Sequence, residues 1–225
     1  MRNVTHYLWH TGKLAKPARL LVVADLHNDG YEDILPLLGD ADVLLMPGDA
    51  ADAYRQQYDQ AVAFLREAAK AVPTFVGVGN HDLRIKDFHR FTAAVQDTGA
   101  RFLFNGYERL GELVIGCWYR PKLYRMKDML PAFRAEEGCK ILMSHRPEDY
   151  FKYLRGAGAD LVLAGHSHGG QWRIGSRGVY SSGQGMFPRY TRGIAESMII
   201  SAGASNRVAV PRWNNPREIV RIELD

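Results

Sequence analysis

Gly79-Asn80-His81-Asp82 sets an amide, an imidazole and a carboxylate side by side, directly behind the apolar run Thr74-Phe75-Val76-Gly77-Val78. Such groups are costly next to a core unless something there needs ligands or protons. The same pattern recurs along the chain. Residues 19–24 run apolar into Asp25-Leu26-His27, and Val43-Leu44-Leu45-Met46 into Pro47-Gly48-Asp49. Residues 140–143 run into Ser144-His145, and residues 161–164 into Gly165-His166-Ser167-His168. Eight candidate ligands or catalysts therefore stand at five strand ends: Asp25, His27, Asp49, Asn80, His81, His145, His166 and His168. In an open α/β sheet the loops after the strand carboxyl ends meet along one edge, so these groups are expected to converge. Five of the eight histidines belong to the set; His6, His10 and His89 fall outside it and read as surface residues.

Oxygen and imidazole donors without thiolates suit Mn²⁺, Fe²⁺ or Zn²⁺ and argue against a structural zinc. Cys117 and Cys139 have no zinc-motif spacing and read as buried free thiols. On an extended stretch, residues two apart point to one side, so Asp25 with His27, and His166 with His168, are expected to share an ion. Seven donors besides His81 fit two ions better than one. Two ions about 3.5–4 Å apart form a device for phosphoryl chemistry.

The elements that must position these groups alternate in the first half. Short buried strands are followed by helical patterns at residues 31–38, 55–71 and 88–98. Strand signals then dominate at 101–105, 107–110, 113–118 and 140–143. Helical parts at 121–135 and 147–154 interrupt them, and a mainly antiparallel tail is expected after residue 170. This order predicts βαβ units and a second sheet packed on the first: an α/β protein, a four-layer αββα sandwich of two mixed β-sheets flanked by helices. With 225 residues, 46% of them hydrophobic and 24% charged, the chain is expected to form one domain over 1–225. Residues 1–9 lack a signal-peptide pattern and no stretch reaches the length of a transmembrane segment, so a cytoplasmic protein is expected. The net charge of +4 is uneven: residues 171–221 hold eight arginines, no lysine and two acids. That bias points to an anionic partner.

Asp25-x-His27, Gly48-Asp49-x-x-Asp52, Gly79-Asn80-His81-Asp82, Ser144-His145 and Gly165-His166-Ser167-His168 together resemble the five-motif signature of the calcineurin-like metallophosphoesterases. Gly169-Gly170-Gln171, residues 183–190 and Asn215-Pro216-Arg217-Glu218-Ile219 resemble the later segments of a bacterial phosphohydrolase subgroup. The resemblance implies two divalent ions, Mn²⁺ foremost, with Fe, Zn or Ni as substitutes. Asp25, His27 and His168 would hold one ion, Asn80, His145 and His166 the other, and Asp49 would bridge them, with a hydroxide between the ions attacking phosphorus. His81 would protonate the leaving oxygen and Asp82 would orient it. Asp52 reads as a helix-capping residue, or one that supports the ligands, rather than as a ligand itself. The substrate would be a phosphate-containing anion: a phosphodiester, pyrophosphate or phosphomonoester. Arg189 and Arg192, in a glycine-punctuated loop with Met186, Phe187 and Tyr190, are expected to grip its non-reacting part. The competing expectations are a nuclease or nucleic-acid-binding protein on the same scaffold, and a non-catalytic scaffold protein.

Overall fold

The computed structural model describes residues 2–181, 183–206 and 210–225. In chain order the strands of the first half are β1 (Asn3–Trp9), β2 (Ala18–Val22), β3 (Val43–Met46), β4 (Thr74–Gly77) and β5 (Arg101–Leu103). They are followed by β6 (Gly106–Leu110), β7 (Leu113–Cys117), β8 (Cys139–Met143) and β9 (Leu161–Ala164). Helices α1 (Asp59–Ala71), α2 (Phe88–Gln96) and α3 (Leu130–Ala135) lie between them. Two small hairpins come next, β10 (Arg173–Ile174) with β11 (Arg177–Gly178), and β12 (Tyr180–Ser181) with β13 (Gly185–Met186). The chain closes with β14 (Gly193–Ala195), β15 (Met198–Ile200) and β16 (Glu218–Leu224).

Two six-stranded mixed sheets result, in the orders β1-β16-β2-β3-β4-β5 and β14-β15-β9-β8-β7-β6. The run β2 to β5 is parallel, and so is the run β15-β9-β8-β7. Their apolar stretches are continuous because both faces are covered. Alternation then sorts each strand between two cores. Leu20, Val22, Leu45 and Phe75 meet Ile115, Ile141, Met143 and Leu163 between the sheets. On the outer face of the first sheet, Leu21, Leu44 and Met46 pack on Phe64 and Leu65 of α1 and Phe91 of α2. On the outer face of the second, Val114, Leu142 and Val162 pack on Leu130 and Phe133 of α3 and on Tyr150 and Leu154. Three cores between four layers give the expected αββα architecture.

The structure departs from the sequence expectation in places. The helix expected at 31–38 is a 3₁₀ helix, Leu35–Asp40, with Pro36 in its first turn. Proline removes a donor, and no amphipathic face extends the segment. Helix α1 starts at Asp59 rather than Arg55, because Asp52 accepts from the Tyr54 and Arg55 amides and holds residues 52–55 in a turn. The tail is not one antiparallel unit. β15 is parallel to β9 in the second sheet, whereas β16 crosses to the first and lies between β1 and β2.

Candidate metal centre

The parallel strands of both sheets end on one edge, and there the predicted residues meet. The loops after β2 and β3 are zipped by backbone bonds: the Asp25, His27 and Asn28 amides donate to the Gly48, Asp49 and Ala50 carbonyls. The side chain of Asn28 ties them to α1, its Oδ1 accepting from the Gln60 and Ala61 amides at the helix start. Asp25 accepts at both oxygens from the His166 amide, at 3.0 Å each, and Asp49 Oδ1 accepts from the His81 amide at 2.7 Å. Each bond joins motifs far apart in sequence. Two glycines make the approach possible. A Cβ on Gly79 would lie 2.1 Å from Asp49 Oδ1, and one on Gly165 would lie 2.5 Å from Asp25 Oδ2. The glycine of one motif is the shelf for the carboxylate of another.

The donor atoms form three overlapping groups, each within 4.8 Å: Asp25, His27 and His168; Asp49, His145 and His166; and His27, Asp49 and His81. In the first, the His27 and His168 Nε2 atoms are 3.1 Å apart and lie 3.9 and 3.8 Å from Asp25 Oδ1. In the second, His145 Nε2 is 3.1 Å from Asp49 Oδ2, which is also 3.8 Å from His27 Nε2. Donors around an ion at about 2.1 Å stand about 3.0–3.4 Å apart, so these groups are close to the size of a cation's shell. The donors are buried, and the Asn80 Oδ1 acceptor has no hydrogen-bond partner among the described residues. His145 Nδ1 lies 3.0 Å from the Pro47 carbonyl, which fixes the proton there and leaves Nε2 free to ligate. The residues present fit divalent cations.

Of the two expected pairs, Asp25 and His27 share a donor group, whereas His166 and His168 fall in different ones, and the backbone is the reason. Asp25, His27, His166 and His168 are not extended; their φ values are 54°, 47°, 65° and 45°. Asp49 shares this left-handed conformation at 56°. Non-glycine residues take it at a cost; the loop zipper holds Asp25, His27 and Asp49 there, while the Asp25 carboxylate and Asn215 hold the turn of His166 and His168.

The bare site is electrostatically poised. Burial pushes the Asp25 carboxyl up to about 7 and lowers His27 to about 4. Burial also drives His166 and His168 well below the usual imidazole range, so both are neutral, the form that ligates. Burial opposes charge on His145 too, but Asp49 outweighs it and carries His145 up to about 9. Asp49 is held well below the carboxylate range, its burial overcome by His145, His27 and His81.

His81 is buried at the wall of a cavity of about 220 Å³ that also reaches Asp49, Asn80, His166 and His168. Its Nδ1 accepts from the Ala53 amide at 3.3 Å, so in neutral His81 the proton is on Nε2. Asp82, expected to orient it, has other partners. The two Asp82 oxygens accept from the Asp49, Ala51 and Gly79 amides at 2.8–2.9 Å, which commits the carboxylate to the loops. Arg189 and Arg192 are not in the cavity wall either. Arg189 lies over the Tyr190 ring at 5.5 Å, and Arg192 pairs with Glu218 at 2.8 Å. The wall instead includes Arg84, Arg146, Tyr54, Gln171 and Tyr180. Sequence signals for two of these were present: Arg146 follows His145 directly, and Gln171 closes the last motif. Arg212 and Asn215 support the site from the tail. Arg212 reaches His168 Nδ1 at 3.2 Å and the Ala202 carbonyl at 2.6 Å, and Asn215 Nδ2 donates to the His168 and Gln171 carbonyls.

Residues 18–170 match the calcineurin-like phosphoesterase family. Among curated proteins, the chain is 28% identical over 189 residues to phosphodiesterase YaeI of Escherichia coli, covering 71% of this chain and 64% of that protein. It is 26% identical over 180 residues to the uncharacterized metallophosphoesterase Cj0846 of Campylobacter jejuni, covering 70% of this chain and 46% of that protein. The chain thus spans less than two thirds of the length of either relative. Among solved structures, TT1561 of Thermus thermophilus aligns with a TM-score of 0.50 at 16% identity, covering 67% of this chain and 82% of that one, a likeness of fold.

Proposed function

Because the chain belongs to the calcineurin-like phosphoesterase family, we propose that it is a metal-dependent hydrolase of phosphoester bonds, with phosphodiesters as the first substrates to try. The observation that carries this is that two buried donor groups drawn from both sheets, Asp25 with His27 and His168 and Asp49 with His145 and His166, lie side by side, with Asp49 Oδ2 3.8 Å from His27 Nε2. Asp25, His27 and His168 would hold one divalent ion, Asn80, His145 and His166 a second, and Asp49 both. Manganese suits this oxygen-and-imidazole set without thiolates. When bound, such a pair stabilises charge on phosphoryl oxygens and lowers the pKa of water.

The chain's own groups do the rest. His81 turns Nε2 into the cavity; as imidazolium, with the long 3.3 Å contact from the Ala53 amide given up, it would pass that proton to the leaving oxygen and end as the neutral ring that burial favours. Arg84 and Arg146 give the cavity two guanidinium groups suited to phosphate oxygens. A volume of about 220 Å³ admits a phosphoryl group and its near substituents, and leaves a large substrate mostly outside. The buried free thiols Cys117 and Cys139 are at ease in a reducing compartment, which supports a cytoplasmic setting.

The test is metal-stripped protein reloaded with Mn²⁺, Fe²⁺, Zn²⁺ or Ni²⁺, assayed against diesters, monoesters and pyrophosphates, with metal content measured in parallel. Metal-dependent turnover of a diester is expected. Fully loaded protein inert on every ester would leave a non-catalytic scaffold.

A further inference from the structure

Eight of the fourteen exposed large apolar side chains among the described residues fall within residues 172–213, under a fifth of the chain. Ile174, Met186, Phe187 and Trp213 are each more than 60% exposed, and Trp172 and Tyr180 at least 40%. Backbone contacts knit these residues into one patch. Trp172 bridges to Trp213, the Val179 amide donates to the Trp172 carbonyl, the Phe187 amide to the Val179 carbonyl, and Tyr180 pairs with Met186. Neither small hairpin joins the two main sheets, so these side chains are not there to cover a core. Scattered apolar residues need no explanation, but a concentrated aromatic and aliphatic patch marks an interaction surface.

The charge around it is one-sided. Residues 172–213 hold six arginines, no lysine and one acid, Glu196. Arg173, Arg192 and Arg212 are engaged within the protein, and Glu196 is paired with Arg155. Arg177 and Arg189 are exposed and have no carboxylate partner among the described residues. The patch also borders the metal centre, because Tyr180 and Val210 line the cavity that holds His81.

We propose that this face docks on an anionic lipid bilayer, with the apolar side chains entering the headgroup region and Arg177 and Arg189 meeting lipid phosphates. Tryptophan, tyrosine and phenylalanine beside free arginine suit that boundary. An anionic leaflet supplies the complementary charge. No helix among the described residues is long and apolar enough to cross a membrane, so the protein would lie on the surface. A nucleic-acid face would need more than the two unpaired cations found there among the described residues, and fewer bare aliphatic tips. Docking would turn the cavity mouth toward phosphoesters at the lipid boundary; that consequence rests on the proposed hydrolase function, whereas the docking does not.

Co-sedimentation with vesicles of phosphatidylglycerol and phosphatidylcholine in equal proportion, against phosphatidylcholine alone, tests docking without any turnover. The intact protein should partition onto the anionic vesicles and be released by salt. The double variant Met186→Ser/Phe187→Ser should lose about tenfold or more in partitioning. Arg177→Glu/Arg189→Glu should lose a similar factor, confined to anionic vesicles. Thermal melts show whether each variant is folded, and Ile174→Ser gives a second apolar test should the double variant misfold. Partitioning that is absent, or that no patch variant changes, overturns the proposal. So does patch-dependent binding of single- or double-stranded DNA without vesicle binding, which would make the face a nucleic-acid surface.

Discussion

At the scale of single residues, the neighbouring His81 and Asp82 have separable tasks. His81 faces the cavity with Nε2 and stands outside the proposed ligand set, so His81→Ala should keep its metal and its melting temperature. Its turnover should fall about 10²–10⁴-fold, the worth of a positioned general acid. The fall should shrink for esters with good leaving groups such as nitrophenolate; an equal loss on good and poor leaving groups would remove the acid role. Asp82 answers to three backbone amides at the roots of the Asp49 and Asn80 loops. Asp82→Ala would strand those buried donors, at about 1–3 kcal/mol each. A clear drop in melting temperature and in bound metal is expected, measured by calorimetry and elemental analysis. Normal stability and metal content with only turnover reduced would restore Asp82 as an orienting partner of His81.

At the scale of elements, the C-terminal segment around Asn215 acts as a strap on the turn that carries His166 and His168. The Asn215 Nδ2 donates to the His168 and Gln171 carbonyls at 2.7 and 3.0 Å, and its side chain packs on Gly169, where a Cβ would lie 2.2 Å from Oδ1. Asn215→Ala should lower stability by about 1–3 kcal/mol and weaken metal retention, read by urea melts and by metal loss on dialysis. Unchanged metal retention would reduce the strap to a packing detail. Elements of this kind mark the limit of what the sequence made legible. Strand ends carrying Asp25, Asp49, Asn80 and His145 stood out because an apolar run stops at a polar ligand, and that contrast is local. The left-handed backbone at Asp25 and His166 was not legible, because contacts between loops distant in sequence hold it there. Arg189 and Arg192 were read from type alone, since both suit phosphate; that Arg192 pairs with Glu218 and that Arg189 lies over the Tyr190 ring outside the cavity wall is set by the fold. Arg146, next to His145, was the better signal.

At the scale of the whole molecule, the centre joins two sheets that otherwise meet through an apolar core. Asp25, His27, Asp49 and Asn80 follow strands of the first sheet, whereas His145, His166 and His168 follow strands of the second. Any ion held by Asp25, His27 and His168, or by Asp49, His145 and His166, therefore ties one sheet to the other, and binding only the folded form raises stability. Chelation should lower the melting temperature and make it depend on pH. Asp25 rises from the ordinary 3.8 to about 7, and His145 from 6.5 to about 9, so the folded state holds both protons more tightly than the unfolded chain. Their stabilisation is complete below the unfolded values and fades as pH climbs through the folded ones. His27 and Asp49 shift the other way, and their contributions are lost only as pH falls through their depressed folded values. Between pH 6.5 and 9, then, the chelated protein should lose stability steadily. The loaded protein should resist that loss, because the ions have already displaced their ligands' protons into solvent and metal affinity rises with pH. Calorimetric melts across that range, with and without chelator, measure both profiles. Superimposed profiles would mean that no ion bridges the sheets through these residues.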